Sequence, residues 1–135
     1  MSVIPKLSSS LGERDEKANL ILAEKISSSN NADALEELID HLNNRNKNIQ
    51  SDCIKVLYEI GERKPALIAG HAKEFISLLD NKNNRLQWGA MTALDAITNE
   101  NKAAIFKALP KIITLSESGS VITRDHAVSI LIKHV

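Results

Sequence analysis

A chain of 135 residues is one domain by size, long enough to bury a core of its own. Its 17 basic residues balance 17 acidic ones, which removes the bulk electrostatic case for nucleic acid or an anionic membrane. With 43% hydrophobic residues and few aromatics (Tyr58, Phe75, Trp88, Phe106), the composition is aliphatic, which suits packed helices better than sheets.

Residues 1–14 contain Pro5, three consecutive serines and Gly12, and read as a flexible N-terminal arm before a helical domain over 15–135. They lack the apolar stretch of a secretory signal, and no segment is long enough to span a bilayer. Cys53 has no partner for a disulfide, so a reducing, cytoplasmic setting is the expectation.

A first helix is expected from about Asp15 to Ser27, with Leu20, Ala23 and Ile26 or Leu22 inward, closed by Ser27–Asn31. A second covers Asp33 to His41 or Leu42 and buries Leu35, Leu38, Ile39 and Leu42. The polar run Asn43–Asn48 leads into the next helix, with Asn48 as its N-cap. There Ile49, Cys53, Val56, Leu57 and Ile60 form an amphipathic seam, widened by Ile54 and closed at Gly61. Pro65 opens a segment from Ala66 to Leu79, broken at Gly70, with Phe75, Ile76 and Leu79 inward. Asn81–Arg85 repeats the polar turn, and a helix follows to about Thr98. Asn101–Leu115 is helical with a kink at Pro110, and Gly119 and Ser120 turn into a final helix.

The seam recurs. A step of 37 residues carries it to Leu86, Ala90, Ala93, Leu94 and Ile97, and a second step to Ala127, Ile130 and Leu131. In the helices between, Leu38, Phe75 and Ile112 correspond, as do Ile39, Ile76 and Ile113. A period of this length signals stacked helix pairs, none of which can bury its apolar face without neighbours.

Ile49–Gly61 resembles the second helix of a HEAT repeat, and the resemblance extends over about Asn31–Val135. It implies an all-α solenoid of about three antiparallel helix pairs behind a leading helix. It also implies a non-enzymatic scaffold or adaptor that binds a protein partner. HEAT repeats often carry aspartate in the turn and arginine at the start of the second helix. This chain has Asn44, Asn46, Asn81 and Asn83 in its turns and Gln50 and Gln87 at the arginine position, with only Arg124 basic. An amide ladder in place of an ionic one is the corresponding expectation, and amides do not titrate.

No catalytic or cofactor motif is present. Cys53 takes the small apolar position filled by Ala90 and Ala127, which suits a core residue better than a nucleophile. The four histidines have no metal-ligand spacing. Asp52, Lys55 and Glu59, with Trp88, Thr92 and Asp95 one repeat on, form a candidate partner-binding face. The competing reading packs Trp88 under the neighbouring outer helix, with the small residues only letting helices approach. Arg45, Lys47, Lys82, Arg85 and Arg124 recur near corresponding turns, where they could bind phosphate or simply solvate the repeats. A minority of the resembling proteins process DNA as alkylpurine glycosylases. An enzyme of that kind would need Trp88 with Asp95 or Asp125 in a basic cleft. Finally, Val128, Ile132 and Val135 occupy the face that would meet a further repeat, so this helix is expected to pair with its own copy or another protein.

Overall fold

A computed structural model describes residues 2–134 and is all-α, with no strand among them. The α-helices are α1 (Lys17–Ser29), α2 (Ala32–Asp40), α3 (Lys47–Arg63), α4 (Pro65–Ile68), α5 (Ala72–Leu78), α6 (Asn84–Ile97), α7 (Lys102–Ser118) and α8 (Val121–His134). Single 3-10 turns lie at Ile4–Lys6, His41–Asn43 and Ala69–His71. The break foreseen at Gly70 is the last of these. Pro110 lies inside α7.

Asparagine starts α2, α3, α6 and α7. Asn31, Asn46, Asn83 and Asn101 each accept a backbone N–H of the first turn through the side-chain oxygen, satisfying donors the helix cannot. The cap of α3 is therefore Asn46 rather than Asn48, because its extended backbone lets Oδ1 reach the amide of Asn48 at 2.9 Å. Asn44 in turn accepts from the Asn46 amide, and Asn81 accepts from Asn83 in the same way. The two turns repeat these capping bonds.

Two glutamines complete this device differently from expectation. Gln50 Nε2 donates to the Leu42 carbonyl at 2.9 Å, and Gln87 Nε2 donates to the Leu79 carbonyl at 3.0 Å. Each ties its own helix back to the preceding one. This is a staple within a repeat, in place of an amide ladder between repeats.

Gly61 does not end α3, which continues to Arg63. It is buried against α4, where an added Cβ would lie 2.5 Å from Ile68 Cδ1. Absence of a side chain is what this glycine supplies.

α3 lies between α1 and α6, and α6 lies between α3 and α8. The helices α2, α5 and α7 lie against α3, α6 and α8, and α5 also touches α7. The core follows the period read from the sequence. Leu38, Phe75 and Ile112 are fully buried, as are Cys53, Ala90 and Ala127. In α1 the buried set is Asn19, Leu22, Ala23, Ile26 and Ser27. It matches Cys53, Val56, Leu57, Ile60 and Gly61 at a step of 34 residues. Leu20, placed inward by the periodicity, is largely exposed.

The first residues, read as a loose arm, lie on the core instead. Val3 and Leu7 are buried members of the hydrophobic cluster, and Ser8 is buried with them. The Val3 amide donates to Glu37 Oε1 at 2.6 Å, and the Ser8 amide donates to Asn19 Oδ1 at 2.9 Å. Val3 and Leu7 are four residues apart, a spacing that Pro5 and the serines obscure in the sequence.

Candidate functional site

The face expected to receive a partner splits into two polar clusters and an aromatic contact. Asp52, on α3, is buried. Its Oδ1 accepts Asn19 Nδ2 at 2.9 Å, and Oδ2 accepts the Ser9 amide at 2.9 Å and the Ser9 hydroxyl. A carboxylate supplied with these donors is a structural tie between α3, α1 and the N-terminal segment. Little of it is left for a partner.

Lys55 and Glu59 follow one and two turns later and remain partly exposed. Lys55 Nζ bridges Glu16 at 3.3 Å and Glu59 at 2.9 Å, and it lies 5.0 Å from the Tyr58 ring centroid. Glu59 also holds Arg63 at 2.9 Å. Trp88 is half-buried, its ring centroid 6.0 Å from that of Tyr58 and tilted by 51°. The aromatic contact of Trp88 is thus with the inner helix α3, not with the outer helix of the competing reading. Thr92 is buried, and its hydroxyl donates to the Trp88 carbonyl at 2.8 Å.

Asp95, on α6, is the second cluster. Its Oδ2 lies 2.8 Å from His126 Nδ1, while Oδ1 accepts Ser129 Oγ at 2.9 Å and pairs with Lys133 Nζ at 2.8 Å. Burial alone would push this carboxyl up. The hydrogen bonds from His126, Lys133 and Ser129 outweigh it and hold the carboxyl below its ordinary range. An open recess of about 290 Å³ adjoins the cluster, with Gly61, Pro65 and Ala96 along one side and Glu62 beside the histidine. Burial and the charge of Glu59 push Glu62 upward. His126, Ser129 and Lys133 sit at i, i+3 and i+7 of α8, a spacing that marks one helical face once their partner is known.

Cys53 is fully buried, and burial, with Asp52 and Glu37 near it, pushes its thiol up to about 12. That is the environment of an inert core thiol. No group of three metal-binding side chains occurs among the described residues, and none of their helices is long and apolar enough to cross a membrane.

The basic residues near the turns are divided. Arg45, Lys47, Lys82 and Arg124 are exposed and form no ion pair among the described residues, whereas Arg85 pairs with Glu16. A polar recess beside Arg85 also contains Glu13, Asp15 and Asp52. Acidic groups thus interrupt the row.

The outer edge of α7 and α8 is different. Ile113 is 47% exposed, Val128 45% and Ile132 70%. Val135 lies outside the described residues. The positions equivalent to Val128 are Ile54 and Met91, which are 1% and 0% exposed because α6 and α8 cover them. Comparison with family models, with curated proteins and with solved structures finds no match.

Proposed function

We propose that the chain is an α-solenoid of three HEAT-like helix pairs, α2 with α3, α4–α5 with α6, and α7 with α8, behind the leading helix α1. In this reading it is a non-enzymatic, cytoplasmic scaffold that takes a helical segment of a protein partner. The observation that carries the reading is the contrast in exposure between Val128 and its equivalents, Ile54 and Met91. A bulky apolar position that is covered by a helix at each earlier step, Ile54 and then Met91, is uncovered at the last, where Ile132 beside it extends the apolar stripe. An amphipathic helix is the occupant that fits, since helices occupy the two equivalent places. The binding surface shifts accordingly, from the inner face around Asp52 and Asp95, whose carboxylates are already satisfied, to the edge of Ile113, Val128 and Ile132.

The test is site-specific photo-crosslinking in the source cell from position 132, with position 73, an exposed lysine on α5, as the control. A discrete protein adduct at 132 alone, abolished by Val128→Asp, is the expected result. Its absence overturns the reading. Nucleic-acid binding through Arg45, Lys47, Lys82 and Arg124 is the alternative, favoured by the exposure of these four. It requires salt-sensitive retention on immobilised DNA that Arg45→Ala and Lys82→Ala weaken, and no retention at low salt eliminates it.

A further inference from the structure

We infer that the helix-bearing partner at the α7–α8 edge is a second copy of this chain, docked head to tail through the outer face of α1. The inference rests on the functional reading above and names its occupant.

Each inner helix has a giving side and a receiving side. α3 gives Ile54, and α6 receives it at Gly89, where an added Cβ would lie 2.8 Å from Ile54 Cγ1. α6 gives Asp95, and α8 receives it with His126, Ser129 and Lys133. α3 itself receives α1 through Asp52, which accepts from Asn19. At the 34-residue step, Ala18, Ile21 and Lys25 of α1 correspond to Asp52, Lys55 and Glu59 of α3. They therefore form a receiving side, turned away from the face that carries Asn19, Ala23 and Ile26. A groove of about 480 Å³ runs along it, lined by Leu11, Ala18 and Ile21 with Lys6, Lys17 and Lys25. Leu11 and Ile21 are largely exposed. One chain thus carries an uncovered giving side on α8 and an uncovered receiving side on α1.

Size and charge favour this pairing over a symmetric one. Internal giving sides present bulky residues, and α6 meets one with a glycine. Ala18 against Val128 repeats that match, while α8 against its own copy sets Val128 and Ile132 on themselves. Lys6, Lys17 and Lys25 surround the receiving groove, accompanied by Glu13. The giving edge carries Glu117 and Asp125, with Arg124 beside them. Glu117 is one repeat beyond Asp80, which already pairs across to Lys111 of α7, the outer helix of the following repeat.

A heterologous contact of this kind builds a ring or a filament rather than a two-fold dimer, so assembly runs past two copies. One helix of about four turns from each partner offers roughly 200 Å² of face, about a quarter of what a standard interface buries per partner. Association is therefore weak and concentration-dependent.

Sedimentation equilibrium on the full chain tests it. The weight-average mass of wild type should rise with concentration past twice 14.8 kDa. Ile132→Asp and Ile21→Asp should each associate at least about tenfold more weakly. An equimolar mixture should form a heterodimer and stop there, since each variant keeps one sound side. Both residues are exposed, and circular dichroism confirms that each variant folds. Should either fail that check, Asp125→Lys and Lys17→Glu replace them: each alone should associate more weakly, and their mixture, in which both contacts again pair opposite charges, should regain assembly past two copies. A monomeric wild type, a mixture that stays monomeric, or an Ile21→Asp that associates like wild type overturns the inference. A crosslink from position 132 to a different protein, with no self-assembly, overturns the second copy and leaves the scaffold reading standing.

Discussion

The α3–α6 and α6–α8 junctions join equivalent helices one repeat apart, yet their contacts are of opposite chemistry. At the first, Ile54 lies against the bare backbone of Gly89, and Tyr58 meets Trp88 at a tilt of 51°. At the second, Asp95 stands where Tyr58 stood and is held by His126, Ser129 and Lys133. The repeated geometry thus constrains volume and helix spacing, and leaves the chemistry of each junction free. One junction is chiefly steric, and the other is a charged network that acid can dismantle.

The largest effect should come from emptying the steric junction. Ile54→Ala removes a fully buried branched side chain and leaves a cavity, costing about 3 kcal/mol. Urea unfolding measures it, and a loss below about 1 kcal/mol would show that α6 closes the gap. Asp95→Asn should cost less, about 2 kcal/mol near neutral pH, because the hydrogen bonds to His126, Ser129 and Lys133 lose their ionic partner. The folded carboxyl holds its proton less readily than the unfolded chain does. Its contribution is therefore complete above the ordinary aspartate value of 3.8 and vanishes as pH falls through the lower folded value. Glu62 beside it is shifted upward and acts in the opposite sense, so wild type and variant are compared at each pH. A stability difference that does not shrink below about pH 4 would refute the network. The smallest effect should be that of Gln87→Ala, about 1 kcal/mol from one neutral hydrogen bond to the Leu79 carbonyl. It should be the same at pH 8 and pH 5, since amides do not titrate.

The helices and their period were legible because both rest on local spacing. Leu38, Phe75 and Ile112 lie 37 residues apart and all enter the core. The open edge at Val128 and Ile132 was legible for the same reason. The polar clusters were not, because their members come from distant stretches. Ser9 reaches Asp52 across 43 residues and His126 reaches Asp95 across 31, and no periodicity connects them. Taking Asp52 and Asp95 as free binding groups followed from reading each helix without its neighbour. α1 escaped the repeat because its step is 34 and because Asn19 fills the place of Cys53. The N-terminal segment looked loose because its composition is that of a linker, while two apolar residues, Val3 and Leu7, suffice to seat it.

Cys53 gives this molecule an internal clock. Its thiol is fully enclosed in the helix that touches both α1 and α6, and its proton is held up to a pKa of about 12. An aqueous thiol reagent therefore has nothing to react with until α3 opens. With excess reagent at alkaline pH, the labelling rate reports the opening rate of the central helix, and at low reagent it reports the opening equilibrium. A single native cysteine thus allows the stability of the middle of the chain to be followed under fully native conditions, without denaturant and without an added probe.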